Sequence, residues 1–584
     1  MSEAMSRSDP AQVRGYCMYD WGKSAFETSV TTAVLPAWFT YLFWEANGLS
    51  FSSPLGEMSS DAMWSFSVTG AALFIALISP ALGVIADRRT VKVRWMRYFT
   101  YLGAASTFLL AFAPVFGVSY GWVWLTIMFL LANVGLNGAG VFYNALLPHQ
   151  GADDEMDGIS NKAYAYGYLG GGLLLVVHLG MVLGLSGDWV VPFVMASSGV
   201  WWFGFAMWTF AAVPEPAVEN EMENLGFVPA SKMAMGEVMN TLRDWRSFKT
   251  LFVYMIAYFL FIDGINSVTS LAGAFGIAVL GLSMTDLIAT IVVIQFVAFP
   301  AAYFFTWLAE VWSTKRALML SLFMWCVMIV GAMSFAPLEL SEAEEYDFRL
   351  DGDGDAFTLT MDLEDPFGES AEERALASDW AVLIDGGSVG EVEARSLVMG
   401  LEQTRFSGHL NLSDGSALGV VGIDHPTNLG DGAMDFIPKT VRSLIWAPLG
   451  IGIFWQWLML GCLAGTLMGG SQGLARSLFA QMVPETRSTE FFGFFGFFGK
   501  VAALLGPLLY GTISVAMDSR TAIASLALLI IGGTIMMRWV DVEDGILVAN
   551  EYDAAVRSGA LGDEPVEDEG ELEEQDHGSG EEQE

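Results

Sequence analysis

The chain is poor in cysteine, with three in 584 residues: Cys17, Cys326 and Cys462. Two lie in apolar runs and none in the most acidic stretch, so neither a disulfide framework nor a zinc site is supported. No other metal or cofactor motif takes their place. Charge is scarce too, at 16% of residues, against roughly 25% in soluble domains. Bases are scarcest, with 27 Lys and Arg against 65 Asp and Glu and a formal net charge of −38. Contact with phosphate backbones needs a basic face, so a nucleic-acid partner is excluded. The opening residues also lack a short apolar core followed by a small-residue cleavage site, so no removable signal peptide is expected and the first hydrophobic helix should act as an uncleaved anchor.

What the chain has in abundance is apolar sequence, 53% of residues. A bilayer-spanning helix needs about 20 mostly apolar residues. Such runs occur at 25–45, 62–86, 95–116, 119–147, 163–185 and 189–212, and again at 249–280, 284–309, 315–337, 443–475, 491–515 and 519–539. The sequence therefore predicts an all-α membrane protein of twelve transmembrane helices. One six-helix half is 1–212; the other is 249–337 with 441–540, and a polar loop at 213–248 joins them. Lys and Arg concentrate on one set of connections: Arg88 to Arg97, Lys232 to Lys249, Lys315 with Arg316, and Arg487. By the positive-inside rule both termini are cytoplasmic, in the cell membrane.

The acidity sits elsewhere. Residues 338–440 carry a net charge of −18 and residues 541–584 one of −16. In the first block Phe357 to Leu363 and His409 to Leu412 alternate apolar with polar residues, which predicts a small β-rich domain outside the membrane. Its Asp351-Gly352-Asp353-Gly354-Asp355 run resembles the start of a calcium loop, but Ala356 stands where that loop needs glycine, so a solvated acidic turn is expected. The second block is low in complexity and is expected to be disordered.

The two halves carry echoes of one another. Gly83…Asp87-Arg88…Lys92 after the second run is matched by Ala309-Glu310…Lys315-Arg316 after the eighth, with Asp87 and Glu310 223 positions apart. Phe142-Tyr143-Asn144-Ala145-Leu146-Leu147-Pro148 is matched by Leu478 to Pro484, with the two prolines 336 apart. The offset grows between these pairs by about the length of 338–440, which reads as an insertion into a duplicated body.

These residues resemble the major facilitator superfamily, whose loop signature Gly83…Asp87-Arg88…Lys92 follows except at Thr90, where a glycine is usual. A narrower resemblance is to the vacuole-effluxer family, called autophagy-related protein 22-like in eukaryotes. It is carried by Tyr19-Asp20-Trp21-Gly22-Lys23-Ser24-Ala25-Phe26, by Phe142 to Pro148 with Tyr143 and Pro148, by Gly167 to Gly172, and by Glu490-Phe491-Phe492-Gly493 with Lys500 and Leu505 to Leu508. The resemblance covers about 15–540 outside the insertion. It implies secondary transport, with efflux of amino acids in the eukaryotic branch. Lys23 replaces the family's usual Asn, and Glu27 adds an acid that the pattern does not demand.

Ionisable groups inside membrane helices cost at least a few kcal/mol, so each needs a partner or a purpose. Glu27 lies four residues after Lys23, either as a mutually neutralising pair or as a carboxylate for a proton or a substrate ammonium. Asp263, with Asn266 on the same helix face, either serves ion coupling or substrate binding or bonds a neighbouring helix. Asn133, Asn137 and Asn144 form one stripe, to bind a polar solute or to join helices. His178 and Gln295 read as satisfied buried groups. Gly83, Asp87, Arg88, Lys92, Glu310, Lys315 and Arg316 are expected to form an ion-pair latch between the halves at the cytoplasmic edge. Gly493, Gly496 and Gly499 precede Lys500, but the spacing fails for a phosphate loop and suits close helix packing.

The reading is a secondary transporter in a lipid bilayer, moving a small polar organic solute by alternating access with protons or another coupling ion as partner. A ligand sensor using the 338–440 domain is the alternative. No nucleophile–base constellation suggests an enzyme.

Overall fold

The computed structural model describes residues 8–47, 50–53, 56–218, 245–282, 284–353, 356–361, 371–412, 416–430, 434–502 and 505–558, together with 236, 239 and 243. Most of the 213–248 loop and the tail beyond 558 lie outside the described residues.

Helix α1 (Pro10–Ala25) starts where Asp9 accepts the Ala11 N–H at 2.9 Å. It runs on through a π-helical stretch, Phe26–Val34, into α2 (Leu35–Asn47). This begins 15 residues before the predicted run, because Asp20 and Lys23 lower the hydropathy of a segment that is covered by protein rather than lipid. A hairpin, β1 (Ser50–Ser53) and β2 (Gly56–Ser59), leads to α3 (Ser60–Asp87), α4 (Lys92–Leu109), α5 (Gly117–Ala145), α6 (Met156–Gly184) and α7 (Val190–Ala212). The second half holds α8 (Lys249–Leu280), α9 (Met284–Val311) and α10 (Thr314–Ala332) before the acidic block. Among the described residues eight helical segments are long and apolar enough to cross a membrane.

The acidic block is an α+β unit rather than a purely β one. Strands β3 (Phe348–Asp353), β4 (Ala356–Met361), β5 (Ser388–Gly390), β6 (Ser407–Asn411) and β7 (Ala417–Val421) form a mixed sheet in the order β5-β4-β3-β6-β7, with β3 and β6 parallel. Helices α11 (Ala371–Ile384) and α12 (Glu391–Gly400) close its core around Phe348, Leu350, Phe357 and Trp380. Asp347 immediately precedes the central strand β3, accepting from Ser407 N and Oγ at 2.8 and 2.9 Å and facing His425 at 3.5 Å. Burial pushes its carboxyl up, but the bonds from His425 and Ser407 outweigh that and hold it below the usual range. The block is tied to the body by Arg442, which donates to the Pro337 and Thr427 carbonyls, and by Arg520, which donates to the Phe335 carbonyl at 2.7 Å and faces Asp435.

The chain re-enters the body as α13 (Ile453–Gln481), followed by α14 (Ser488–Val501), α15 (Leu505–Ala516) and α16 (Ser519–Met536). The predicted run 491–515 covers α14 and α15, with residues 503–504 between them outside the described residues. Residues 542–557, expected to be disordered, form a last helix, α17 (Val542–Arg557), which Asp541 caps. The acidic composition masked an amphipathic pattern: Ile546, Val548 and Tyr552 pack on the body, and Asp553 accepts from Glu485 N and Thr486 Oγ1.

Within the first half α1 packs on α6 and α7, and α4 on α5 and α7; within the second, α9 packs on α13 and α8 on α16. The halves meet at two main crossings, α3 with α14 and α6 with α9 and α13. Lipid gives helices no hydrophobic reason to associate, so the crossings depend on close backbone approach. A Cβ on Gly83 would lie 2.7 Å from the Glu490 Cα, and one on Gly493 would lie 2.8 Å from the Pro80 Cα. Glycine is therefore required at the α3–α14 crossing from both sides.

Candidate functional site

Four charged side chains form a ladder across the boundary between the halves. On α1, Lys23 Nζ lies 3.0 Å from Glu27 Oε2 and 3.2 Å from Asp20 Oδ1. The other Asp20 oxygen accepts the Tyr143 hydroxyl at 2.8 Å and faces Arg476 Nη1 of α13 at 3.6 Å. Arg476 also donates to Ser160 Oγ (3.0 Å), the Ser160 carbonyl (2.9 Å) and Asn144 Oδ1 (3.3 Å), and its guanidinium lies 4.3 Å from the Tyr164 ring centroid. Each of these partners belongs to the first half, although Arg476 belongs to the second. Asp20 and Arg476 are each 2% exposed, whereas the Glu27 side chain is 45% exposed. The ladder therefore runs from a sealed interface to an open end, with two acids and two bases in balance.

The Tyr19-Asp20-Trp21-Gly22 motif serves four neighbours because successive helix residues point about 100° apart. The Tyr19 hydroxyl bonds Thr100 Oγ1 of α4 at 2.9 Å, Asp20 joins the ladder, Trp21 stacks on Trp201 of α7, and Gly22 lets the Trp202 and Phe205 backbone region approach. Tyr143 stacks on Tyr16 with centroids 4.3 Å apart, and Pro148 ends α5 in a buried 3₁₀ turn.

A second constellation seals the face that carries Pro10 and Arg557. The Asp87 carboxylate, at the end of α3, accepts the Thr489 and Glu490 N–H groups at 3.0 and 2.8 Å, capping the start of α14. Lys92 Nζ lies 2.8 Å from Asp87, 2.9 Å from Ser488 Oγ and 3.2 Å from His149 Nε2. Glu490 pairs with Arg487 at 2.8 Å. The repeat-related crossing is built differently. Asp157 on α6 accepts from Thr314 Oγ1 and Ser477 Oγ, both at 2.6 Å.

Gly83, Asp87 and Lys92 thus meet the other half directly, and Arg88 flanks them in the loop after α3. Among the described residues Glu310, Lys315 and Arg316 join no ion-pair latch. Glu310 is exposed, Lys315 Nζ donates to the Val540 carbonyl at 2.7 Å, and the Arg316 N–H is taken by the Ser313 cap. An acid stands at both related positions, Asp87 and Glu310, but Asp157 makes the contact at the second crossing. Asn144 reaches the ladder, but Asn133 and Asn137 spend an amide N–H on the Phe129 and Asn133 carbonyls of their own helix. Asn266 is half-buried and gives its carbonyl to Thr269 Oγ1. His178 bonds Ser197 Oγ at 3.0 Å. The Lys500 side chain lies outside those described.

Asp263 is fully buried, and its two oxygens accept the Gly506 N–H at 3.1 and 3.0 Å, with Ser267 Oγ at 3.3 Å. It caps the start of α15, where backbone N–H groups lack helical partners. Asp263→Ala leaves the Gly506 N–H without an acceptor and is expected to cost about 1–3 kcal/mol of stability. Asp263→Asn should cost less, because its carbonyl still accepts. Melting temperatures in detergent should rank wild type, Asn, Ala; equal values for all three would remove the cap.

Sequence reading missed Arg476 because it lies one residue beyond the apolar run 443–475. The signal was present: Arg476 is the sole charged residue between Arg442 and Glu485.

A fold of two packed helical halves with a sealed, polar inter-half seam is that of a major facilitator transporter. The chain superposes with a TM-score of 0.50 on the fucose transporter FucP in its outward conformation, covering 91% of this chain and 98% of that one at 11% identity. It gives 0.50 with the proton:xylose symporter XylE, covering 91% and 94% at 12% identity. The chain belongs to the family described as vacuole effluxer Atg22 like, whose profile matches residues 149–336 and 440–550 and passes over the acidic block. An uncharacterised MFS-type transporter of Bacillus subtilis, YxiO, is 24% identical over 547 residues, covering 92% of this chain and 97% of that protein. Autophagy-related protein 22-1 of Neosartorya fischeri is 33% identical over 115 residues, 20% of this chain and 18% of that one.

Proposed function

We propose that this chain is a twelve-helix secondary transporter that moves a small polar organic solute by alternating access. Its halves are 1–212 and 249–337 with 441–540, and the Pro10/Arg557 face is cytoplasmic. The basic residues of the Arg88–Arg97 loop support that orientation, and a cell-membrane location goes with it. The observation that carries the reading is Arg476, a buried cation of one half whose hydrogen bonds all go to the other. Such a contact has to break and re-form if the halves rock about a central site. Amino acids are the favoured solutes, since the ladder offers both a carboxylate and an ammonium, and the family description favours export. Ion coupling is assigned to Glu27, which is open, rather than to Asp263, whose oxygens are committed to a helix start.

The test is counterflow in proteoliposomes with a panel of amino acids, sugars and cationic drugs. Exchange of an amino acid that Arg476→Gln abolishes is the expected result. Failure of every solute to exchange, with protein of unchanged thermal stability, would overturn the reading.

A further inference from the structure

We infer that a single positive charge arriving at Glu27 unlocks the cytoplasmic face through the relay Glu27–Lys23–Asp20–Arg476; the inference rests on the alternating-access reading above. Lys23 is shared between two carboxylates at nearly equal distances, 3.0 and 3.2 Å. Among the described residues Asp20 is the one carboxylate within 4.0 Å of Arg476, and at 3.6 Å that pair is long. Every other group that Arg476 touches is neutral. The charge that holds the bolt is therefore the sum on α1 and the π-helical stretch that continues it: Asp20, Lys23 and Glu27 together carry −1, and Arg476 cancels it.

A cation at Glu27 brings that sum to zero. Lys23 is then left to Asp20 alone, and a buried guanidinium faces a neutral partner surface. Arg476 gains by moving toward water, which is the motion that parts α13 from α1, α5 and α6. The other titratable groups around the ladder are Tyr16, Cys17 and Tyr19 on α1, Tyr143 on α5, and Lys162, Tyr164 and Tyr168 on α6. None of these is a carboxylate that could replace the lost charge. Glu27 is the exposed end of the ladder, so it is the member that a proton or a solute ammonium reaches first.

The sign of each substitution follows from the sum. Glu27→Gln should open the face, and Lys23→Gln, which leaves −2 on that segment, should hold it shut more firmly. The double substitution restores −1 and should behave like wild type. Removing one charge at roughly 10 Å with an effective dielectric near 20 changes the open-to-closed ratio by on the order of tenfold.

Cys17 is a native reporter, fully buried and three residues before Asp20. Its alkylation by a membrane-impermeant maleimide supplied from the cytoplasmic side is read by peptide mass spectrometry on the full chain in vesicles. Expected are about tenfold faster labelling in Glu27→Gln, slower labelling in Lys23→Gln, and a double variant within about twofold of wild type. In wild type, lowering pH on the far side without solute tests the proton, and adding primary-amine solutes at fixed pH tests the ammonium; acceleration by either supports the relay. An unchanged Glu27→Gln, or a Lys23→Gln that also labels faster, overturns it, since loosened packing would speed both. If Glu27→Gln opens the face and neither cation does, the cation trigger is overturned. Arg476→Gln is the reference: if Cys17 stays protected even there, alternating access itself falls, whereas protection in Glu27→Gln alone sinks only the relay.

Discussion

Asp20→Ala is expected to abolish the sealed state of the face that carries Pro10 and Arg557, and with it solute exchange. Asp20 stands between Lys23 and Arg476 and is 2% exposed. Its removal leaves two cations facing one remaining acid, Glu27, and takes away the acceptor of the Tyr143 hydroxyl. Breaking a buried ion pair from one side costs about 3–5 kcal/mol, on the order of 10²- to 10³-fold in the ratio of sealed to open molecules. Asp20→Asn should cost less, because it can still accept from Tyr143. The decisive comparison is Asp20→Ala with Arg476→Met. The double variant buries no unpaired guanidinium, so its loss of stability should fall well short of the sum of the single losses. Thermal unfolding and counterflow on the four proteins close the cycle, and additive losses would mean that Asp20 and Arg476 do not act as a unit.

Lipid imposes a simple rule on sequence, and what was legible follows from it. Long apolar runs must be helices, so the placing of α3 to α10 could be read directly. The acidic block could be delimited for a different reason: its charge sets it apart from the apolar runs on either side, whatever its fold. Composition misled wherever protein, not lipid, covers a helix. The segment 10–24 carries Asp20 and Lys23 because other helices surround them, and α17 hides its apolar stripe among acids. The two helices of the acidic block were missed for a related reason, since Trp380 is fully buried in a segment whose sequence also carries Glu372, Glu373 and Asp379.

The candidate site shows a further limit. Glu27, Asn144 and Asp263 could be singled out as polar groups in apolar surroundings, but what each one meets is a property of the assembled halves. Asp263 reads as a coupling acid until a helix start is placed against it. Glu310 matches Asp87 in sequence spacing but is exposed, and Asp157 of the opposite half bonds Thr314 and Ser477 instead, because what a residue meets is set by whatever packs opposite. Across the Asp87 corner the carboxylate meets backbone N–H groups, which any sequence at that crossing supplies and no side-chain pattern announces.

The second large effect concerns that corner. Asp87→Asn is expected to disable the α3–α14 latch. Lys92 is 4% exposed and would lose its carboxylate partner, again worth about 3–5 kcal/mol. The Thr489 and Glu490 N–H groups would also compete for one acceptor oxygen in place of two. The latch carries a pH dependence of its own through His149, which lies between Lys92 and Ser488. Burial, then the nearby Lys92 and Arg557 charges, hold the imidazole well below its ordinary value, so it is neutral in the folded chain. A base with a depressed pKa binds fewer protons folded than unfolded. Stability from this residue is therefore complete above its ordinary pKa of about 6.5 and declines by up to about 1.4 kcal/mol per pH unit below it. The melting temperature of wild type should drop between pH 7.5 and 5.5, and His149→Gln should flatten that drop while leaving the pH 7.5 value nearly in place. Asp87→Asn should be low at both. If His149→Gln keeps the full acid-side drop, the proton is taken up elsewhere, and the latch responds to pH through a group other than the imidazole beside Lys92.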